Sequence, residues 1–324
     1  MTIRKVLFLL AIVSLIAIVL LLPHHQPSKA SVGLIEQTKS HTPDLPNYDI
    51  RADKASFEKI AAYRAASAKT AVQAADIRSE FVDGEAMLRQ RVPTLKVEYN
   101  SDIRTPEVIT PEVNLGRAFL TNSSSEKRAE ILRAFVKENN SLVGVSDAQA
   151  DELKVTADYT NPDGNLSFAH LEQFINGVPV FRGEVKAGFT KRGEMIRVIN
   201  NLAPGLDYES LSTNFGEPAN AVNAALRSIN NDGSKLDLRP DAKASTDLRR
   251  VFGTGDSATT AEKMYFPTEP GVAIPAWRVL IWQPVNAFYV IVDAHTGTVL
   301  WRKNITEDQT ESATMQVYNN PLAM

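Results

Sequence analysis

The histidines are the residues best suited to chemistry in this chain, because an imidazole can bind a metal or transfer a proton near neutral pH. The sequence holds five of them, at positions 24, 25, 41, 170 and 295. A zinc peptidase would show H-E-x-x-H on a helix, with two imidazoles on one face, and none of the five begins that spacing. His24 and His25 are adjacent, so on a helix they would point about 100° apart. The sequence therefore predicts no zinc site.

The other candidates for chemistry favour structural roles. His170 lies in a predicted strand, where packing or hydrogen bonding is the expected role. His295 follows Asp293 in a predicted turn, but the sequence places no nucleophile beside them, and acid–base catalysis needs an oriented partner. The carboxylates are scattered, and the absence of cysteine excludes disulfides, thiolate zinc sites and cysteine nucleophiles. We predict no catalytic residue, no metal site and no cofactor in this chain. Metallopeptidase activity would need a further domain with H-E-x-x-H.

Bulk composition is that of an ordinary globular protein. The chain has 324 residues, of which 44% are hydrophobic and 23% charged, with a net charge of −3. This length is enough for two modest domains behind a leader. The small negative charge provides no basic field for nucleic acid, so we expect no nucleic-acid partner.

Residues 1–30 have the pattern of an export signal. Arg4 and Lys5 precede an apolar run over residues 6–22, and a basic segment before an apolar one is typical of export. Small residues at positions 28 and 30 offer a cleavage site. We predict a secreted, periplasmic or cell-envelope protein. The alternative is a retained membrane anchor over residues 6–22, which would be the only membrane contact.

The stretch from Ser167 to Leu202 predicts a three-stranded antiparallel meander. The dipeptide Asn176-Gly177 suits a two-residue hairpin turn, because both central positions need positive φ. Apolar and polar residues then alternate from 184 to 189, and a second turn follows at 191–194. This alternation predicts one buried and one polar face.

Three finer expectations concern the same meander. Pro179 lacks a ladder donor, so its strand lies at a sheet edge or begins irregularly. Gly183 marks a bulge or a close backbone approach. Ile196 and Val198 share one face of the third strand by alternation.

The run from Gln173 to Phe181, followed by Gly183-Glu184-Val185, resembles the fungalysin/thermolysin propeptide domain. That domain lies in the pro-region of secreted zinc metallopeptidases. More loosely, residues 45–51 and 95–100 resemble the N-terminal pro-region of bacterial fungalysin (M36-type) members. The resemblance implies contact with a zinc metallopeptidase catalytic domain, in cis or in trans. The candidate partner-binding residues are Asn176, Gly177, Val178, Pro179, Phe181 and Glu184, and for Glu184 a solvated surface role is the alternative.

The segment between the leader and the meander contains two predicted helices. Residues 31–94 are a polar linker and an Ala-rich helix that starts near Phe57 and reaches residue 81, with a hinge near Gly84. Its large apolar residues, Phe57, Ile60, Val72 and Ile77, are sparse and give it a thin buried face, so it either packs against the body or extends away from it. Ser123 and Glu126 have capping-box spacing and open a second helix, whose apolar stripe is Ala129, Ile131, Leu132, Phe135 and Val136.

A second unit follows the meander. It begins with a helix that has Pro218 near its first position, continues with an exposed loop over residues 230–260, and ends in strands whose tryptophans are expected in the core: Trp277, Trp282 and Trp301. The final strands and the Asp-Ala-His-Thr-Gly turn resemble a PepSY-type module. Such modules commonly follow the propeptide domain and are associated with restraining the peptidase.

These patterns predict an α+β fold with two modules, each an antiparallel β-sheet packed by a helix, behind the leader and the Ala-rich helix. The modules are residues 95–206 and 207–304, and residues 305–324 form a tail. In precursors of this kind such a junction leads into the peptidase, whereas this sequence ends at Met324. We expect a truncated or split precursor, or a pro-region that works alone, with the tail from Asn304 onward occluding the peptidase cleft.

The function that follows is an exported pro-region that binds a zinc metallopeptidase, assists its folding and inhibits it. The alternative is a free-standing cell-envelope binding or inhibitor protein that uses the same sheets for another partner.

Overall fold

The computed structural model describes residues 45–306, apart from 117, 232, 234, 235 and 285. The predicted leader, the first part of the linker, and the tail beyond residue 306 lie outside these residues. In the described part of the chain, no helix has the length and apolar character needed to cross a bilayer.

Helices and strands alternate irregularly along the chain. The helices are α1 Phe57–Ala66, α2 Ala71–Arg91, α3 Arg128–Glu138, α4 Asn140–Val143, α5 Asp147–Glu152 and α6 Pro218–Ser228. The strands are β1 Tyr48–Asp49, β2 Leu95–Tyr99, β3 Pro106–Pro111, β4 Lys154–Thr160, β5 Leu166–Ile175, β6 Val178–Thr190, β7 Met195–Asn200, β8 Arg249–Phe252, β9 Thr259–Glu269, β10 Val272–Trp282, β11 Ala287–Asp293 and β12 Val299–Asn304.

The first group of strands is antiparallel, in the order β2-β3-β7-β6-β5-β4. Helix α3 packs on one face of it, and its predicted apolar stripe is buried as expected. Leu132 and Phe135 of this stripe share a core with Leu171, Val185 and Phe189 of the strands. The predicted meander is therefore confirmed as β5, β6 and β7, with one face in the core.

The second group is also antiparallel, in the order β1-β12-β11-β10-β9-β8. Helix α6 begins at Pro218, as predicted, and packs on one face around Trp277, which is 1% exposed. On the other face, Ile60 and Tyr63 of α1 pack against a cluster that contains Phe266. The α+β class is confirmed.

Strand β6 joins the two groups. Its first residues pair in parallel with β9 through Val180 and Tyr265, so the twelve strands form one continuous sheet. Pro179 is thus not on an edge strand: it pairs with Phe174 of β5, and β6 has neighbours on both sides. Of the two alternatives for Pro179, the edge strand is wrong, since a proline near a strand's start gives up only one ladder hydrogen bond. The irregular start is confirmed, because the register with β5 shifts directly after the Phe174–Pro179 pair.

The predicted single Ala-rich helix is two helices. Ala68 has a φ of +52°, and Thr70 caps α2 in a capping box with Gln73. There is no hinge at Gly84, which lies inside α2 where a Cβ would sit 2.5 Å from the backbone nitrogen of Leu142. Glycine is needed there because the helix approaches another backbone.

The buried face of these helices also differs from the prediction. Ile60 and Ile77 are half-buried, as expected. Phe57 and Val72 are 78% and 67% exposed instead, and the buried residues of these helices include Ala74, Phe81 and Leu88. The apolar spacing of α1 and α2 is weak, so tertiary contacts decide which side faces the core.

The predicted capping box at Ser123 and Glu126 is wrong. Helix α3 starts at Arg128 without a side-chain cap. The residues before it run along the meander instead, where Leu120 N donates to Met195 O at 2.7 Å and Ser124 N donates to Arg192 O at 3.0 Å. Pairing with the meander keeps this segment extended.

Three smaller corrections concern the predicted 230–260 loop, two tryptophans and strand β7. The 230–260 segment contains strand β8, and Trp282 is 44% exposed, while Trp301 is half-buried. In β7, Met195 and Val198 are buried, and Ile196 is half-buried, because a bulge opposite Gly188 inserts one residue.

Candidate functional site

The Asn176-Gly177 turn projects from the end of the β5–β6 hairpin. Asn176 and Gly177 have φ values of +51° and +80°, as a two-residue turn requires. Both residues are exposed. The predicted turn is confirmed, and its backbone is available to a partner.

Beyond the turn, the backbone of strand β6 is irregular and closely packed at Gly183. Arg182 has a φ of +54°, and a Cβ on Gly183 would lie 2.7 Å from Val180 Cβ and 3.0 Å from Gln173 Oε1. The predicted close approach is confirmed. It shifts the ladder between Glu172 and Phe174.

Gln173 ties this irregularity to the chain after the meander. Its side chain is buried, its Oε1 accepts from Ala203 N at 2.8 Å, and its Nε2 donates to Ala203 O at 3.1 Å and to the Tyr208 hydroxyl at 2.9 Å. Burial raises the pKa of Tyr208, so the hydroxyl stays neutral and available for this contact.

Several predicted partner-binding residues contribute to the core. Val178 is buried beside α6, and Phe181 stacks on Phe266 with ring centroids 5.2 Å apart. Pro179 is half-buried. Asn304 is 5% exposed, and its backbone N–H donates a hydrogen bond to Asn47 Oδ1 at 3.1 Å. Contact of these residues with a partner stays a prediction.

Glu184 lies on the other side of β6, in a cluster of charged residues. Its Oε2 is 2.8 Å from His170 Nε2, and its Oε1 accepts from Lys186 Nζ at 2.6 Å. Glu172 is the cross-strand neighbour of Glu184 and has Oε1 3.8 Å from His170 Nε2. The spacing of residues along the sequence does not reveal this group, because its members come from two strands.

Apolar side chains adjoin this cluster in a row across four strands. Tyr159 of β4 stacks on Phe168 of β5 with centroids 5.2 Å apart. A Cβ on Gly188 of β6 would lie 3.6 Å from both Phe168 and Ile196. Helix α3 packs on the opposite face of these strands, so the row is exposed or half-buried.

We call this surface the outer face. It is formed by strands β4 to β7 and comprises Tyr159, Phe168, His170, Glu172, Glu184, Lys186 and Ile196.

The Asp293–His295 pair is part of a turn. Asp293 Oδ1 accepts from His295 N at 2.9 Å, and its Oδ2 accepts from the hydroxyls of Thr296 and Tyr63. These hydrogen bonds hold the turn between β11 and β12. The expected structural role of Asp293 is supported by this geometry.

A separate cleft of about 370 Å³ lies beside α3. Its lining includes Arg91, Leu120, Ser124, Phe135 and Glu138. None of the predicted partner-binding residues lines it.

Residues 151–202 match the Fungalysin/Thermolysin Propeptide Motif. This propeptide-motif segment covers strands β4 to β7, which carry both the turn and the outer face. The resemblance read from the β5–β6 hairpin is therefore confirmed for this part of the chain.

No curated protein matches the chain. A solved structure, the Bacillus megaterium YpeB C-terminal domain, is similar at 10% identity over 64% of this chain and 75% of that chain, with a TM-score of 0.25. The propeptide-motif segment remains the part with a family match.

Proposed function

We propose that this chain is an exported pro-region that binds the catalytic domain of a secreted zinc metallopeptidase of the fungalysin type, assists its folding and keeps it inactive. The observation that carries the proposal is the match of residues 151–202 to a propeptide motif. The partner acts either as a separate protein or as a domain of a longer precursor.

The outer face of the propeptide-motif segment is the contact surface in this proposal. It combines an apolar row, formed by Tyr159, Phe168 and Ile196, with charged groups beside it. Protein interfaces have this composition, with apolar and aromatic contacts at the centre and polar groups around them. The strands beneath are fixed by the α3 core, so the surface is preformed and little ordering is needed on binding.

The tail supplies the inhibitory part of the proposal. Asn304 is anchored by Asn47 Oδ1 and by Asn286 Oδ1, the latter 3.1 Å from its Nδ2. This anchor gives the residues after it a fixed starting point. From there we propose that the tail enters the peptidase cleft.

The test uses a fungalysin-type catalytic domain expressed without its own pro-region. It is refolded from denaturant with and without the full-length chain, and both the yield of folded peptidase and its hydrolysis rate are measured. We expect a higher refolding yield and a lower hydrolysis rate when the chain is present.

Two variants locate the contact. Phe168→Glu places a charge in the apolar row and should abolish both effects, while Arg239→Glu changes a side chain that is 90% exposed in the second unit and should leave them intact. If the unmodified chain alters neither yield nor rate, the proposal is wrong. If Phe168→Glu and Arg239→Glu lose both effects equally, the outer face is not the contact surface.

A further inference from the structure

We propose that His170, Glu172 and Glu184 form a binding site for a divalent transition-metal cation such as Zn²⁺. One ligand atom from each residue, an imidazole nitrogen or a carboxylate oxygen, lies within 4.8 Å of the other two. Imidazole and carboxylate are the ligand types that zinc and related cations accept.

The sheet brings the three side chains together. His170 and Glu172 are two residues apart on β5, so they point to the same face, and Glu184 of β6 lies directly opposite Glu172. The intervening Leu171 and the neighbouring Val185 are fully buried in the α3 core. The backbone positions of the ligands are therefore fixed before any ion binds.

The distances suit a small cation. A tetrahedral zinc ion with bonds of about 2.1 Å holds its ligand atoms about 3.4 Å apart. His170 Nε2 is 2.8 Å from Glu184 Oε2 and 3.8 Å from Glu172 Oε1. Small side-chain rotations would bring both separations to the required value.

The two neighbouring carboxylates, Glu172 and Glu184, also favour a bound cation. Carboxylates directly opposite each other on neighbouring strands repel, and Lys186 neutralises only the Oε1 side of Glu184. The Oε2 side faces His170 Nε2, which is shielded from solvent and has no aligned hydrogen-bond partner. A metal ion between these atoms would satisfy all three groups.

This inference does not depend on the proposed function. Ion binding is measured on the chain alone, whereas the proposed function is measured with a peptidase, so each can fail without the other.

The experiment titrates Zn²⁺ into the full-length chain by calorimetry. His24, His25 and His41 are replaced by alanine in this parent chain to remove competing imidazoles outside the described residues. We expect one ion per chain, no saturable binding in His170→Gln, and affinity at least about tenfold weaker in Glu172→Gln and Glu184→Gln. The matched control is His295→Gln, an exposed histidine, which should bind like the parent.

A second measurement does not rely on the variants being folded. In the parent chain, the imidazole nitrogen resonances of His170 should shift on addition of Zn²⁺, while those of His295 should not. Absence of saturable binding in the parent, an unchanged affinity in a folded His170→Gln, or unmoved His170 resonances would each overturn the proposal.

Discussion

The hydroxyl of Tyr63 donates a hydrogen bond to Asp293 Oδ2 at 2.9 Å. This contact fastens α1 to the turn between β11 and β12, 230 residues further along the chain. Burial, followed by the charge of Asp293 and this hydrogen bond, raises the pKa of Tyr63 to about 12. The Ala-rich segment is thus held on the sheet by a contact that requires a protonated tyrosine.

This contact predicts a loss of stability at high pH. The ordinary tyrosine pKa is 10.0, so between pH 10 and about 12 the unfolded chain loses this proton while the folded chain keeps it. The contribution of Tyr63 to the free energy of unfolding is therefore fully present below pH 10 and is lost as the pH rises through that window. Urea denaturation at a series of pH values should show a smaller decrease in the free energy of unfolding for Tyr63→Phe than for the unmodified chain.

The same variant should lower the free energy of unfolding by about 1.5 to 3 kcal/mol at pH 8, because a hydrogen bond to a charged acceptor is lost. Tyr159→Phe, at a tyrosine that is 56% exposed, is the matched control and should follow the unmodified chain. Parallel pH curves for Tyr63→Phe and the unmodified chain would contradict the role given to Tyr63.

Arg64 should contribute strongly to stability. Its guanidinium contacts Glu269 twice, at 2.5 and 3.0 Å, and the Glu269 side chain is only 7% exposed. Arg64→Ala leaves that carboxylate buried without its main partner and should lower the free energy of unfolding by about 3 kcal/mol. Chemical denaturation gives the value.

The control for Arg64 is Arg239→Ala. Arg239 pairs with Asp237 at 2.9 Å, but its side chain is 90% exposed, so solvent screens the pair and no measurable change is expected. Similar losses in the two variants would show that burial of Glu269 is not what matters.

Two glycines of β6 should respond differently to alanine. Gly183→Ala places a Cβ 2.7 Å from Val180 Cβ and 3.0 Å from Gln173 Oε1, and both are held in place by the core. We expect a loss of about 2 kcal/mol from overpacking. Gly188→Ala meets its nearest atoms at 3.6 Å, an ordinary contact, and should cost little. Equal midpoints in thermal melts of the two variants would be inconsistent with a tight approach at Gly183.

The hairpin turn should tolerate glycine and reject a β-branched residue. Asn176 has a φ of +51°, which glycine adopts freely and valine does not. Asn176→Gly should therefore keep the stability of the unmodified chain, and Asn176→Val should lose about 1 to 2 kcal/mol. Urea denaturation of both variants checks this, and a fully stable Asn176→Val would mean that the turn has another conformation.

Features that depend on neighbouring residues could be predicted from the sequence. The Asn176-Gly177 turn follows from the φ values that two residue types permit. The stripe of α3 and the start of α6 at Pro218 follow from helical spacing and from proline's fixed φ. The propeptide resemblance also rests on such a local run, since the hairpin residues are contiguous.

The pairing across the sheet was decided only by the tertiary structure. An uninterrupted ladder from the turn would place Phe181 opposite Glu172 and Glu184 opposite Ala169. Instead, the irregularity at Gly183 shifts the register, so that Glu184 faces Glu172 beside His170. The shift depends on Gln173 and Ala203, which are 30 residues apart. Contacts of that range also set the β6–β9 pairing and the buried side of α2, because packing energy and not local preference selects them.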